Sequence, residues 1–428
     1  MRLVVLHYHL LRGGVTGIVD AQLAALRQTS PDLPVTVAAG NAAGRTFPGV
    51  ELLTIPALDY LTADPAAAYT AIRTFLASLP PDAVVHAHNP TLGKNPALTL
   101  ALYEAAGGGR AILYHIHDFA EDRPDNLDFL RRTIQTLRGG ASDDRILREV
   151  MYPDFPHCRF AVITRQDGTR LEAAGIAADR IDYLPNPVPE ITPADAAAGA
   201  AVRRELNVAE DRRFWLYPVR AIPRKNIGEF LLLLALFRHT AVGAITLPPN
   251  NPIDRPEYND WKRFAAERKL PVHFEVGEHY SLPDLMAAAD LCLTTSRREG
   301  FGMTFVEPWQ YGKPVAGRRL AAPSADFTAL GMVFRRVYDR LNIPGATDDF
   351  STLPPPEQCR RIAAVLDSAD TAAELLAANP VLRTFSAPPD PAELTQNFNV
   401  VNGPLSLAEY GRKLNAVYQR FAGSIPRL

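Results

Sequence analysis

The chain repeatedly places a short, uninterrupted apolar run before a stretch with helical spacing. The first run, residues 3–6, reads Leu-Val-Val-Leu and does not alternate with polar residues. A strand of this kind is buried on both faces, as in a parallel sheet covered by helices on both sides. The pattern predicts β-α units around a parallel sheet. In the first half we expect strands at residues 3–6, 35–38, 83–87, 111–115 and 159–163, and helices over 16–27 and up to 175.

A proline-rich break divides this pattern into two halves. Residues 185–189 read Pro-Asn-Pro-Val-Pro, and an Ala/Pro-rich stretch continues to residue 201, so we expect a linker here. At about 150 residues per domain, 428 residues suggest two or three domains. In the second half we expect strands at 214–218, 244–247, 273–276 and 291–295, and helices at 227–238, 258–269, 282–288, 305–311 and 406–421. The fold class is therefore α/β, with two doubly wound parallel-sheet domains and a cleft between them.

The composition excludes several classes of protein. Apolar residues make up 47% and charged residues 21%, which excludes wholesale disorder, and the net charge of −2 argues against general nucleic-acid binding. The longest apolar run, residues 230–237, is far shorter than the roughly 20 residues that span a bilayer. Three cysteines, Cys158, Cys292 and Cys359, are too far apart for a zinc site or a disulfide framework. We expect a soluble, cytoplasmic enzyme or a large binding protein.

A basic loop lies between the first strand and the first helix of the second half. It runs from Arg220 to Lys225, and Asn226 with Glu229 three residues later has the pattern of a capping box. Free N–H groups at a helix N-terminus, a guanidinium and an ammonium together favour an anion. The alternative is three basic side chains on a solvated surface.

A second group of candidate residues follows the strand predicted at 291–295. Gly300 and Gly302 lie between two acids, Glu299 and Glu307. Glycines allow a ligand to approach backbone N–H groups, and carboxylates accept hydrogen bonds from vicinal hydroxyls such as those of a sugar or ribose. The alternative is a glycine-rich turn followed by an acid that complements the helix dipole.

These two groups, in this order, resemble the retaining family-four glycosyltransferases of the GT-B fold, glycosyl transferases group 1. The shared features are Arg-x4-Lys, Glu-x7-Glu about 75 residues later, and the segments 13–14, 184–188, 289–290 and 312–317. The resemblance covers most of residues 1–317 and the terminal helix. It implies an acceptor-binding domain over 1–190, a nucleotide-sugar-binding domain over 191–403 and a terminal helix, 404–428, that returns to the first domain.

The resemblance also implies roles for individual side chains. Arg220 and Lys225 would bind the donor diphosphate and stabilise it as it leaves, while Glu307 would hold the ribose and Glu299 would face the donor sugar. Charge develops on the departing diphosphate, and fixed cations stabilise it there. His117 matches a histidine that contacts the donor sugar.

Backbone groups are implied as well. The N–H groups of Gly300, Phe301 and Gly302 would bind sugar hydroxyls, and Gly13 and Gly14 would close on the phosphates. We expect no cofactor and metal-independent transfer, because no acidic pair follows a strand and two cations are present. The expected partners are a nucleotide-sugar donor and a small-molecule or glycan acceptor, with no nucleic acid. A membrane acceptor is disfavoured by the lack of a basic amphipathic helix, and it stays open.

Six histidines form three His-x-His pairs at the expected strand ends: His7/His9, His86/His88 and His115/His117. Such spacing is compatible with metal ligands, so a metal-dependent hydrolase is one alternative. A non-catalytic sugar-nucleotide-binding protein is another. On the glycosyltransferase interpretation, His9, His88 and Asp118 are candidates for the acceptor side.

Three segments depart from the family pattern. Residues 247–252 are proline-rich where a glycine-rich turn is expected, and residues 318–323 replace another glycine-rich segment. Pro308 directly follows Glu307, which requires a helix that starts within one turn. Residues 318–400 are atypical, and an altered donor or acceptor preference could reside there.

Overall fold

The computed structural model describes residues 1–61, 64–140, 143–191 and 195–421, which form two compact units. Unit 1 comprises Met1–Pro189 and Leu405–Leu428, and unit 2 comprises Glu190–Pro404. Unit 2 is therefore inserted into the chain of unit 1. Each unit is built on one parallel sheet, as the sequence predicts.

The sheet of unit 1 has seven parallel strands. They are β1 Arg2–His9, β2 Val35–Asn41, β3 Glu51–Thr54, β4 Ala83–His88, β5 Ile112–Ile116, β6 Cys158–Val162 and β7 Ile181–Tyr183. Their order is β3-β2-β1-β4-β5-β6-β7, so the strand order reverses between β1 and β4. Ligands of doubly wound sheets bind beyond the carboxyl ends of strands at such a reversal. The sequence did not predict β3 and β7, which are short strands at the two edges of the sheet.

Helices cover both faces of this sheet. They are α1 Gly14–Thr29, α2 Pro65–Ser78, α3 Pro96–Gly107, α4 Pro124–Arg138, α5 Asp144–Met151 and α6 Arg165–Ala173. The five predicted strands are present, most of them slightly longer than expected. Their continuous apolar runs are buried on both faces: Leu3, Val5 and Val37 pack with α1, while Val4 and Leu6 pack on the opposite side of the sheet.

The sheet of unit 2 has six parallel strands. They are β8 Arg213–Arg220, β9 Ala241–Leu247, β10 Val272–His273, β11 Leu291–Thr294, β12 Val315–Arg318 and β13 Arg336–Tyr338. The order is β10-β9-β8-β11-β12-β13, with the reversal between β8 and β11. The strand predicted at 273–276 is wrong in extent, because Glu275 adopts a left-handed conformation (φ 64°) that ends β10 after two residues.

Nine helices of unit 2 are described. They are α7 Ala196–Glu205, α8 Ile227–Leu236, α9 Arg255–Glu267, α10 Leu282–Ala288, α11 Glu307–Gln310, α12 Ala321–Ala329, α13 Pro355–Asp367, α14 Ala369–Ala378 and α15 Pro391–Asn402. The linker expected to extend to residue 201 is wrong in extent, because α7 already begins at Ala196. Its alanines have high helix propensity, and the Asp195 carboxylate caps the Ala197 N–H at 2.9 Å.

The last helix, α16 (Leu407–Gln419), belongs to unit 1. It packs on α1, where its face with Tyr410, Leu414 and Tyr418 is buried. Polar contacts support this packing: Asn415 bonds Ser30 at 2.9 Å and Thr29 at 3.1 Å. Among the described helices, none is both long and apolar enough to cross a bilayer.

Candidate active site

In unit 2, two loops meet beyond the carboxyl ends of the neighbouring strands β8 and β11. The Arg297 N–H donates to the Arg224 carbonyl at 2.8 Å, and the Thr295 hydroxyl donates to the Lys225 carbonyl at 3.0 Å. The Tyr217 hydroxyl adds bonds to the Lys225 carbonyl (2.9 Å) and to Ser296 Oγ (2.8 Å). Residues about 75 positions apart in sequence are thereby fixed beside each other.

Lys225 and Glu299 form an ion pair at the centre of this junction. The Lys225 ammonium contacts Glu299 Oε1, and the Arg224 guanidinium contacts Oε2 at 2.7 Å. Ser296 Oγ also donates to Oε1, at 2.6 Å. The Glu299 side chain is only 8% exposed and that of Lys225 10%, whereas Arg224 is 46% exposed. The structure therefore joins the predicted lysine and carboxylate directly.

The charges of this pair depend on each other. Burial raises the pKa of Glu299, but Lys225 and Arg224 outweigh it, so the net pKa is lowered. Burial lowers the pKa of Lys225, and Glu299 partly offsets this effect. We expect both groups to be charged at neutral pH, because neutralising either one would leave the other charge buried without a counter-ion.

Arg220, the last residue of β8, points toward a different loop. Its Nη1 donates to the Pro248 carbonyl at 2.9 Å and to Asn250 Oδ1. The proline-rich segment that replaces the expected glycine-rich turn is thus fastened to the guanidinium. Arg220 ends β8, and Lys225 lies five residues further along, at the end of the turn that precedes α8.

The glycine-rich segment after Glu299 presents backbone donors. In the described part of the chain, the N–H groups of residues 300–304 have no hydrogen-bond partner, and the buried Thr304 hydroxyl also has none. Gly302 adopts φ 86°, which favours glycine, and begins a 3-10 turn. The Phe301 ring is buried edge-on against Phe327, with centroids 5.1 Å apart. Such unpaired N–H groups suit an anion or sugar hydroxyls.

Glu307 is the first residue of α11 and is half-buried. Pro308 therefore lies in the first turn, where a missing N–H costs no hydrogen bond. Burial raises the pKa of Glu307. Hydroxyl groups that donate hydrogen bonds to such a partly buried carboxylate stabilise its charged form.

The predicted capping box is wrong. Asn226 is in a left-handed conformation (φ 53°) and makes no capping bond; its Nδ2 instead donates to Glu229 Oε2 at 2.9 Å. Glu229 is fully buried and pairs with Arg318, which also holds the Asp349 carboxylate. Tyr338 donates to Glu229 at 2.8 Å. The atypical Arg318 thus belongs to a buried ionic network on the helix that follows the basic loop 220–225.

In unit 1, the histidines of β1, β4 and β5 lie together. His86 Nε2 lies 3.0 Å from His115 Nδ1, and His88 Nδ1 lies 2.9 Å from His117 Nε2. Gln22 on α1 bridges His86 and His88, at 2.9 and 2.8 Å. The three pairs expected at strand ends thus lie together, within the strands as well as at their ends.

Three of these side chains, His86, His88 and His115, could hold a metal ion. Each offers a ring nitrogen within 4.8 Å of the others. Several of these nitrogens already bond Gln22 or neighbouring rings. Burial and neighbouring imidazoles lower the pKa of all three, to about 3 for His86. The rings are therefore neutral at pH 7 and form a hydrogen-bonded network. The metal-hydrolase alternative is not favoured.

The remaining candidates of unit 1 surround this network. Asp118 pairs with Arg123 at 2.8 Å, and its N–H donates to Asn89 Oδ1 at 3.0 Å. The His9 ring packs against Tyr60 at 4.8 Å. The exposed glycines 13 and 14 form the N-terminus of α1. His88, His117 and Asp118 lie together, and His9 lies at the end of the adjacent strand β1.

Sequence reasoning missed four contributors: Arg224, Ser296, Gln22 and Tyr418. Arg224 was visible as the neighbour of Lys225. Gln22 carried a signal too, because it occupies an apolar position of α1, four residues after Ile18. Tyr418 reaches His86 from 332 residues away, and no local pattern could reveal that contact.

Comparison with known proteins agrees with this architecture. Residues 200–323 match the model of glycosyl transferases group 1. The chain is 27% identical over 331 residues to mannosylglucosyl-3-phosphoglycerate synthase of Petrotoga mobilis, covering 71% of this chain and 62% of that protein. Two solved structures share the fold at 14% identity and a TM-score of 0.63. HepE of Anabaena with UDP-glucose aligns over 98% of this chain and 99% of its own, and sucrose-phosphate synthase of Thermosynechococcus elongatus over 99% and 100%.

The fold is that of GT-B proteins, and residues 200–323 are similar to glycosyl transferases group 1. The group 1 segment, residues 200–323, contains the Lys225–Glu299 junction and the start of α11, so the candidate residues of unit 2 lie within it.

Proposed function

We propose that this chain transfers a hexose from a nucleoside-diphosphate sugar to a hydroxyl acceptor, without metal and with retention of anomeric configuration. One observation carries the proposal. Lys225 and Arg224 meet Glu299 where the unpartnered N–H groups of residues 300–304 begin. Cations and N–H groups complement a diphosphate, and carboxylates complement sugar hydroxyls.

The ion pair suggests how donor binding is coupled to catalysis. A diphosphate arriving at this junction competes with Glu299 for the Lys225 ammonium and the Arg224 guanidinium. As the cations turn to the phosphates, the Glu299 carboxylate becomes free to accept sugar hydroxyls. When the glycosyl bond breaks, the cations stabilise the negative charge on the departing nucleoside diphosphate. Arg220 and the glycines 13 and 14 would contribute further phosphate contacts, and Glu307 would accept the ribose hydroxyls.

The relatives support a class of donor and a class of acceptor. HepE was solved with UDP-glucose, and the relative from Petrotoga is named for a glycosylated phosphoglycerate. We propose a UDP- or GDP-hexose donor, with His117 meeting a sugar hydroxyl. The acceptor is a small molecule or a glycan, and His9 and Asp118 are the candidates for its side. His88, expected there from the sequence, is fully buried with both ring nitrogens bonded, so it supports His117 instead. Three unpaired cysteines, two of them buried, suit the reducing cytoplasm, where nucleotide sugars are available.

The first experiment is a thermal-shift screen with UDP-, GDP- and ADP-sugars. A ligand that binds only the native state raises the melting temperature in proportion to its affinity. The best donor is then incubated with phosphorylated and neutral sugar acceptors, with and without EDTA, and the product anomer is read by NMR. We expect transfer that EDTA does not affect and an unchanged anomeric configuration. Loss of transfer in EDTA, or inversion, contradicts the corresponding part of the proposal.

The binding-only alternative predicts a different outcome. A sugar-nucleotide-binding protein would show the thermal shift with one donor but neither transfer nor release of free nucleotide. Absence of any shift and of any turnover, across donors and acceptors, would reject the glycosyltransferase proposal itself.

A further inference from the structure

A buried polar residue of α1 is placed to control the candidate site residue His117. Gln22 is fully buried, and both the nitrogen and the oxygen of its amide make hydrogen bonds. Its Nε2 lies 2.8 Å from the Tyr418 hydroxyl and 2.9 Å from His86 Nδ1, and its Oε1 lies 2.8 Å from His88 Nε2. With the amide in this orientation, Oε1 is an acceptor toward His88.

This contact fixes the proton positions along a chain of two rings. Because Oε1 only accepts, His88 Nε2 carries the proton. His88 is neutral, so its Nδ1 is an acceptor, and it lies 2.9 Å from His117 Nε2, which must therefore donate. His117 is neutral as well, since burial lowers its pKa to about 3. Its Nδ1 is then left without a proton.

The backbone around His117 is also held. The His117 N–H donates to Asn89 Oδ1 at 2.7 Å, and its ring stacks on His115 with centroids 4.1 Å apart. The ring cannot turn over without breaking the bond to His88. Among its ring nitrogens, only Nδ1 is left to meet a ligand, and it can only accept.

We propose that Gln22, acting through His88, is a positioning residue that holds His117 as a neutral hydrogen-bond acceptor, and thereby selects a donor sugar with a hydroxyl, rather than a carboxylate, opposite His117. The selection rests on the proposed glycosyl transfer; the proton positions do not. A hydroxyl donates to Nδ1, whereas a carboxylate would face it acceptor to acceptor and stay unpaired. Sites built to bond a substrate hydroxyl reject analogues that cannot make the bond.

The proton positions are tested without substrate. Long-range 1H–15N spectra of protein with 15N-labelled histidine distinguish the two neutral tautomers, and the His117→Asn variant assigns the His117 signals. We expect the Nε2-protonated form in the wild type and loss of this single form in Gln22→Leu. Gln22→Glu keeps an acceptor at the same place and should retain it. An Nδ1-protonated His117 in the wild type overturns the proposal, because it means that the amide is reversed.

A matched control separates this role from loosening of the core. Tyr410, on the same buried face of α16, has a hydroxyl without a partner among the described residues. Tyr410→Phe should leave the His117 tautomer unchanged, and its melting temperature should be similar to that of the wild type. If Tyr410→Phe alters the tautomer as much as Gln22→Leu does, the assignment to Gln22 is wrong.

The selectivity is tested by kinetics with a UDP-hexose and the matching UDP-hexuronate. We expect wild-type kcat/KM to favour the hexose by about 100-fold or more. Gln22→Leu should lower kcat/KM for the UDP-hexose about tenfold and reduce the preference for the hexose over the hexuronate, and His117→Ala should reduce this preference as well. Gln22→Glu should retain much of the wild-type preference. Equal use of both donors by the wild type overturns the selection. If no nucleotide sugar is used, the proposed function fails, and the spectra still decide the proton positions.

Discussion

At the scale of single residues, the Lys225–Glu299 pair connects fold and proposed chemistry. Lys225→Ala should lower turnover by roughly 10²–10³, the usual loss when an electrostatic stabiliser of a transition state is removed. Steady-state kinetics with the donor identified by thermal shift measures it. Arg220 lies at the end of β8, and Arg220→Ala should lower turnover by the same order, because we propose that its guanidinium turns from Pro248 to the phosphates.

The chain offers a matched control for Lys225. Lys262 pairs with Glu275 at 2.9 Å in the same unit, with both side chains partly exposed. Lys262→Ala removes a lysine–glutamate pair without touching the junction and should leave turnover within about twofold of wild type. Equal losses in the two variants would remove Lys225 from the mechanism.

A second residue-scale prediction concerns the stability cost of Glu307. Folding raises its pKa above the ordinary 4.5, so the folded state holds this proton more tightly than the unfolded state. The free energy of unfolding is therefore larger below pH 4.5, and it decreases as the pH rises through the pKa of Glu307 in the folded state. Glu307→Gln should raise the melting temperature at pH 7, and the gain should shrink at pH 4. Differential scanning calorimetry at the two pH values measures this difference.

The exposed Glu210 provides the comparison for Glu307. Glu210→Gln should leave the melting temperature unchanged at both pH values. A lower melting temperature of Glu307→Gln at pH 7 would mean that the native carboxylate is stabilised rather than penalised where it stands.

At the scale of secondary-structure elements, the network of Glu229, Arg318 and Asp349 joins α8, β12 and the segment before α13. Arg318→Met leaves Glu229 buried without a counter-ion, which typically costs about 3–5 kcal/mol. Chemical denaturation should report this loss. The double variant Glu229→Gln/Arg318→Met should recover part of the lost free energy of unfolding, because it has no unpaired buried carboxylate.

Arg319, the next residue, is the control for this network. Its ion pair with Asp339 is exposed, at 3.2 Å, so Arg319→Met should change the free energy of unfolding by less than about 0.5 kcal/mol. A small loss for Arg318→Met as well would mean that water reaches Glu229 and that the network does not hold α8 and β12 together.

How far the sequence predicts these elements depends on where their partners lie. β1 and β11 carry continuous apolar runs, and such local signals were sufficient. β13, with the sequence Arg-Val-Tyr, is short and half polar, so it was missed. The capping box at Asn226 failed for a different reason: its expected partner Glu229 pairs with Arg318, 89 residues further along the chain.

The candidate site shows the same division. Lys225 and Glu299 could be predicted, because their spacing on two strand–loop units of a known family pattern carries the information. The bond from Gln22 to His88 and the Tyr418 contact join residues 66 and 396 positions away from Gln22. Contacts of that kind depend on how helices pack on the sheet, and local sequence patterns do not encode them.

At the scale of the whole molecule, the histidines make unit 1 sensitive to acid. Burial lowers the pKa of His7, His86 and His117 to about 3, and those of His88 and His115 well below 6.5. Below pH 6.5 the unfolded state therefore binds more protons than the folded state does. As a result, the free energy of unfolding decreases as the pH falls from 6.5 toward 3. Five histidines lower the stability of unit 1 in the same pH range, and the total stability of a protein is only about 5–15 kcal/mol.

We expect unit 1 to unfold near pH 5 while unit 2 remains folded. The three tryptophans, Trp215, Trp261 and Trp309, all lie in unit 2, so their fluorescence reports that unit alone. An acid titration should lose far-UV circular dichroism before the tryptophan emission shifts. Simultaneous transitions, or retention of the full circular dichroism at pH 4, would contradict the prediction.

The return of α16 to unit 1 has a consequence for synthesis in the cell. A nascent chain that has emerged as far as residue 404 holds a complete unit 2 but still lacks the helix against which α1 buries its face. The core of unit 1 can therefore be completed only after α16 has been synthesised, and a premature stop codon before α16 would damage the part of the molecule that was translated first.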